Sequence, residues 1–115
     1  MRVAGSDNST SNYRFGLSVR DYNGNEDYTN SNGGTSFLFS RFLTTYTHYG
    51  FSVDVFNPKR AVPTTYTTQG FAYNFVDGSI VGSGHLNLST AFDSMSFIAN
   101  AGTITGSYSV YGFNK

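Results

Sequence analysis

The chain has 115 residues, seven Lys+Arg against seven Asp+Glu, no cysteine and a formal net charge of zero. That length suits one domain with its own core, without disulfides, a thiolate metal site or a catalytic thiol. Only 12% of residues are charged, against roughly 25% in ordinary domains, and the cations are scattered, which argues against binding nucleic acid by phosphate neutralisation. Polarity comes from Ser, Thr, Asn and Gly, while nine Tyr and eleven Phe bring aromatics to 17%, a composition that favours strands and turns over disorder. The start, "MRVAGSDNST", lacks the apolar core of a signal peptide. No apolar run approaches the roughly 18 residues of a membrane span. The expectation is a chain made in the cytosol, or a processed piece of something larger.

Apolar residues recur at period two rather than 3.6. "YRFGLSVR" puts Tyr13, Phe15, Leu17 and Val19 on one face. "DYNGNE" follows, with Asn23-Gly24 as a hairpin signal, and a polar loop covers residues 30–35. "TSFLFSRFL" is apolar on both faces, too rich for one buried side, so Phe37, Leu38, Phe39, Phe42 and Leu43 are predicted to form an interface. "YGFSVDVF" turns Phe51, Val53 and Val55 inward. "NPKRAVP" breaks the ladder at Pro58 and Pro63. "TTYTTQGFAYNFV" reads as a long strand bent or bulged at Gly70, and Asp77-Gly78 as a tight turn. "SIVGSGHLNLS" aligns Ile80, Gly82, Gly84, Leu86 and Leu88, its two glycines marking a close approach by another strand or side chain. "DSMSFIAN" and "GSYSVYGF" supply the last strands. The fold class is all-β: an antiparallel, jelly-roll-like β-sandwich of seven to eight strands in a single domain, residues 1–115. Its inner face is predicted to hold Phe15, Leu17, Val19, Phe51, Val53, Val55, Leu86, Leu88, Phe97, Val110 and either Phe71 or Ala72.

Few residues carry chemistry. His48 and His85 both fall on strands, without the further ligands a metal site needs. Among the acids Asp7, Asp21, Glu26, Asp27, Asp54, Asp77 and Asp93, most sit in turns, where Asp serves turn geometry. Asp54 is mid-strand but points away from its apolar neighbours, so the facing carboxylates of a glycosidase are not evident. "DYNGNED" begins like a calcium loop, but its twelfth position is Asn32, and the Asn-Gly hairpin accounts for it without metal. "GSGH" and "GTITGS" are glycine-rich without a following helix, so no phosphate cradle is indicated, and no G-x-S-x-G elbow occurs. Tyr22, Tyr28, Tyr46, Tyr49 and Tyr66 are candidates for a sugar-stacking platform. Tyr22, Asn25 and Tyr28, near one loop, are the candidate binding residues. No catalytic residue, metal or cofactor is assigned.

"FIANAGTITGSYSVYGFNK" resembles the C-terminal segment of a group of tailed-phage virion proteins, where an apolar strand and a Gly-rich turn lead into a strand matched here by Gly106, Ser107, Tyr108, Val110, Tyr111 and Gly112. "LSVRDYNGNEDYTN" is similar at Tyr22, Asn23, Gly24 and Tyr28, and "FSVDVFNP" at Asp54, Phe56, Asn57 and Pro58. The ordered set spans about two thirds of the chain. The chain departs from the group in lacking an initial strand-turn-strand segment, so that strand is absent or comes from a neighbouring subunit. The resemblance implies a non-enzymatic structural module of the virion, assembled in the host cytoplasm, on the capsid or tail surface. The surplus apolar residues of "SFLFSRFL" and the missing strand predict a symmetric assembly of copies, a trimer, or attachment to a symmetric particle, and the resemblance adds other virion proteins as partners. A fibre-tip domain would add a host surface glycan, and a bacterial surface or fimbrial subunit is the remaining reading.

Overall fold

A computed structural model of the protein describes residues 1–40, 48–73, 78–99 and 103–112. They form seven strands: β1 (Arg2–Val3), β2 (Ser6–Asp7), β3 (Tyr13–Asp21), β4 (Glu26–Gly34), β5 (His48–Phe56), β6 (Thr64–Tyr73) and β7 (Gly78–Leu86). The protein is all-β, antiparallel and sandwich-like, with no helix among the described residues. The five long strands form one sheet in the order β4-β3-β7-β6-β5, and β1 and β2 form a separate hairpin. Arg2 also bridges to Ser94.

Alternation sets which side chains meet. The register aligns Phe15 with Gly84 and Gly84 with Tyr66, then Leu17 with Gly82 and Gly82 with Thr68. These all point to the inner face, where Tyr13, Leu17, Tyr66, Ile80 and Leu86 are buried. Gly82 and Gly84 each lie between two inward neighbours. A Cβ on Gly84 would lie 2.6 Å from the Tyr66 ring and 2.9 Å from Phe15 Cβ, and one on Gly82 would lie 2.6 Å from Leu17 Cδ1. The close approach expected at "GSG" is thus made by side chains of the flanking strands together with the backbone oxygens of Arg14 and Gly16.

The inner face is covered by irregular chain rather than by a second large sheet. Phe37 packs edge-on to Tyr13 at 4.8 Å and lies 4.5 Å from Tyr66, while Phe39 meets Tyr66 at 5.0 Å and Phe97 at 5.7 Å. The Tyr66 hydroxyl donates to Leu38 O (2.8 Å), and Thr68 Oγ1 donates to Phe39 O (2.9 Å). Two polar side chains on the buried face of β6 therefore pin the covering segment by its backbone, and so satisfy their own hydroxyls. Burial pushes the Tyr66 hydroxyl far above its ordinary pKa. Phe92 completes the core with Tyr13 and Leu86; its N–H donates to Pro58 O (2.7 Å). That carbonyl belongs to the predicted Asn-Pro break, where Asn57 takes a positive φ of 58°, a conformation Asn tolerates.

Several expectations are corrected. Residues 37–40 and 103–112 belong to no ladder, and residues 94–99 contribute only the single bridge at Ser94. Val110 and Phe97 are exposed rather than inward, and so is Phe71, which sits on the outer face because Thr64, Tyr66 and Thr68 fix the inward parity of β6. Gly70 makes no bulge: β6 keeps register on both sides of it. A Cβ there would strike Phe51 Cβ at 2.6 Å, together with Gly50 O. The register shift lies instead between Tyr13 and Arg14. Asp77 lies outside the described residues, as do Phe42, Leu43, Tyr46 and Phe113.

Candidate binding face

The outer face of the sheet follows from the same register. One row across it reads Asn30, Gly16, Ser83, Thr67, Asp54, and the next reads Tyr28, Ser18, Val81, Gln69, Ser52. These are the outward halves of strands whose inward halves make the core, so their short hydroxyl side chains stand side by side. Gly16 contributes no side chain, and a Cβ there would meet nothing within 4 Å. The result is an open depression of about 540 Å³, with exposed Val81 and Tyr28, 69% exposed, among its lining residues.

Its chemistry is that of a hydroxyl-rich surface. Ser18, Ser52, Thr67 and Ser83 offer donors and acceptors, Gln69 an amide, and Asp54 the single carboxylate in the lining. Ser18 Oγ already donates to Glu26 Oε1 at 2.7 Å. General acid–base hydrolysis by paired carboxylates would need a second acid facing Asp54 across this depression, and the lining supplies none. Among the described residues no three His, Cys, Asp or Glu side chains converge.

Comparison with protein-family models, with curated proteins and with solved structures returned no match.

The candidate binding residues separate in space. Tyr22 is 87% exposed in the β3–β4 turn. Asn25 is engaged within that turn: its N–H donates to Asp21 Oδ1 and its side-chain amide to Asp21 Oδ2, both at 2.7 Å. The side-chain hydrogen bond from Asn25, ahead of the backbone bonds, holds the Asp21 carboxyl below its ordinary range. Gly24 takes φ 86°, as the Asn-Gly signal requires. These bonds occupy Asp21 with Asn25 in the stretch that began like a calcium loop. Tyr28 alone of the three lines the depression. His85 lies on the outer face in register with Arg14 and Thr65. Of the interface candidates, Phe37 and Phe39 are half-buried in the chain's own aromatic cluster, and Leu38 accepts the Tyr66 bond. The depression's hydroxyl rows were not singled out from sequence. The signal was present in the polar members of the alternation, but single strands do not say which polar residues share a row.

A run of exposed apolar residues also lies elsewhere, on residues 103–112. Tyr108 is 86%, Val110 79% and Tyr111 84% exposed, and Ile104 is exposed with them.

Proposed function

We propose that this chain is a non-enzymatic structural module of a tailed-phage virion, a decoration subunit of the capsid or tail surface. The observation that carries the reading is the exposed row Ile104, Tyr108, Val110 and Tyr111. It falls on the very stretch whose sequence resembles virion proteins, and apolar exposure of this kind marks a surface that meets a partner. The near-neutral, hydroxyl-rich sheet face supports the reading, because it allows dense packing of copies without charge repulsion. Particles lacking the protein test it. Reduced resistance to heat or osmotic shock with unchanged adsorption to host cells is the expected outcome. Normal robustness with abolished adsorption would overturn it.

One observation favours a second reading, a glycan-binding fibre-tip module. Tyr28 stands beside Ser18 and across from Gln69 and Asp54 in the open depression, the mix of an amphipathic ring and polar groups that suits a sugar. A glycan array probed with the chain and with Tyr28→Ala decides it: binding that the substitution abolishes supports this reading, and no binding removes it.

A further inference from the structure

Residues 102–110, "GTITGSYSV", follow the order of residue types in β7, "GSIVGSGHL". Gly78, Ile80, Gly82 and Ser83 recur as Gly102, Ile104, Gly106 and Ser107, and Leu86 is matched by Val110. Yet β7 is the central strand, paired with β3 and β6, whereas residues 103–112 pair with nothing among the described residues and are exposed throughout. The correspondence fails at one informative place. Gly84 is squeezed between Phe15 and Tyr66 on its two flanks, and its counterpart is Tyr108. A tyrosine cannot occupy such a doubly flanked position, but it can where one flank is open. The segment therefore has the pattern of an edge strand that fits this sheet.

We infer that residues 103–112 are a donor strand that adds to the β5 edge of a second copy of this chain. The sheet has two edges, β4 and β5. The inward residues of β4 include Asp27, Thr29 and Ser31, whereas those of β5 include Val53 and Val55, both half-buried. With Ile104, Tyr108 and Val110 facing inward, the added strand continues the apolar row of β5. Its other face, Thr103, Thr105, Ser107 and Ser109, then continues the hydroxyl-rich outer face beyond Ser52 and Asp54. At β4 the same strand would set its apolar row against polar neighbours. Strand addition supplies main-chain hydrogen bonds, with side-chain alternation selecting the register. A second copy fits as the partner because donor and matching acceptor are carried by one sequence, and a net charge of zero lets copies approach. Donor and acceptor are different patches, so the contact is head-to-tail and closes into a ring, such as the trimer expected from sequence, or continues as a filament.

The inference deepens the decoration reading and rests on it only for its setting, since self-association is measured without a particle. The full chain is examined by light scattering over a range of concentrations, beside Ile104→Lys and Val110→Lys. Both positions are exposed, so neither variant should alter folding. Hydrogen exchange is read on β5 and β4, and a synthetic peptide of residues 103–112 is added as competitor. The expected result is a mass above the monomer that rises with concentration and falls to the monomer in both variants and with excess peptide. Protection should be gained over residues 52–56 of β5 and not along β4. A full chain that stays monomeric, variants that keep the higher mass, or protection gained at β4 would each overturn the inference. A monomer that still decorates particles would sink the strand donation and leave the virion reading; an assembling chain whose loss leaves particles unchanged would do the reverse.

Discussion

β7 and residues 102–110 share a Gly-x-Ile-x-Gly-Ser pattern, yet one is the central strand of the sheet and the described part of the other lies in the open. Ile80 and Leu86 are fully buried, whereas their counterparts Ile104 and Val110 are exposed. Alternation gives a segment the capacity to be a strand; only a partner on at least one flank makes it one. In β7 both flanks are filled and glycine is required. In 103–112 neither flank is filled by a described residue, and a Cβ at Gly106 or Gly112 would meet nothing within 4 Å.

Paired glycine substitutions should separate the two regions most sharply. Gly84→Val drives a branched side chain into Tyr66 and Phe15, and should cost about 3 kcal/mol or prevent folding. Gly106→Val should leave the denaturation midpoint of the monomer unchanged. Equal effects would erase the distinction. Truncating the aliphatic members comes next. Leu17→Ala, in the buried contact with Gly82, should lose about 3 kcal/mol in urea unfolding. Val110→Ala should lose almost nothing at concentrations where the chain is monomeric.

A smaller effect probes the covering segment. Tyr66→Phe keeps the ring contacts with Phe37 and Phe39 but removes the hydroxyl bond to Leu38 O, and should cost about 1 kcal/mol. A neutral result would mean that the aromatic contacts alone hold residues 37–40 over the sheet.

The smallest expected effect is one of pH. The hydrogen bond from Ser94, followed by that from the Ala4 N–H, lowers the Asp93 carboxyl from its ordinary value. A depressed carboxylate contributes stability above its unfolded pKa of about 3.9, and that contribution fades as pH falls through the lower folded value. Acidification should therefore loosen the β1–β2 hairpin first, and Asp93→Asn should remove that acid-side dependence. Carbon-13 titration of the carboxyl checks the shift directly.

The sequence made the sheet legible through strict alternation. Phe15, Leu17 and Val19 fall on one face as read, and the Asn23-Gly24 turn joins β3 to β4. The β7 glycines do mark a close approach. Less legible was the layer that covers the sheet. "SFLFS" reads as a strand with a surplus apolar face, because sequence cannot show that Tyr66 and Thr68 bind its backbone and draw Phe37 and Phe39 onto the core. Nor could it show the outer depression, which exists only once register places Ser18, Ser83 and Thr67 in adjacent rows. The last segment carries the alternation of a strand, but the flank that would make it one is not supplied among the described residues.

Amide hydrogen exchange of Ser107 to Tyr111, followed as concentration is raised, tests most directly whether this segment is a strand awaiting a second copy. The account expects exchange at the free-peptide rate in dilute solution, and protection approaching that of β7 as the chain assembles. Fast exchange at every concentration, or protection already complete in the isolated monomer, would contradict it.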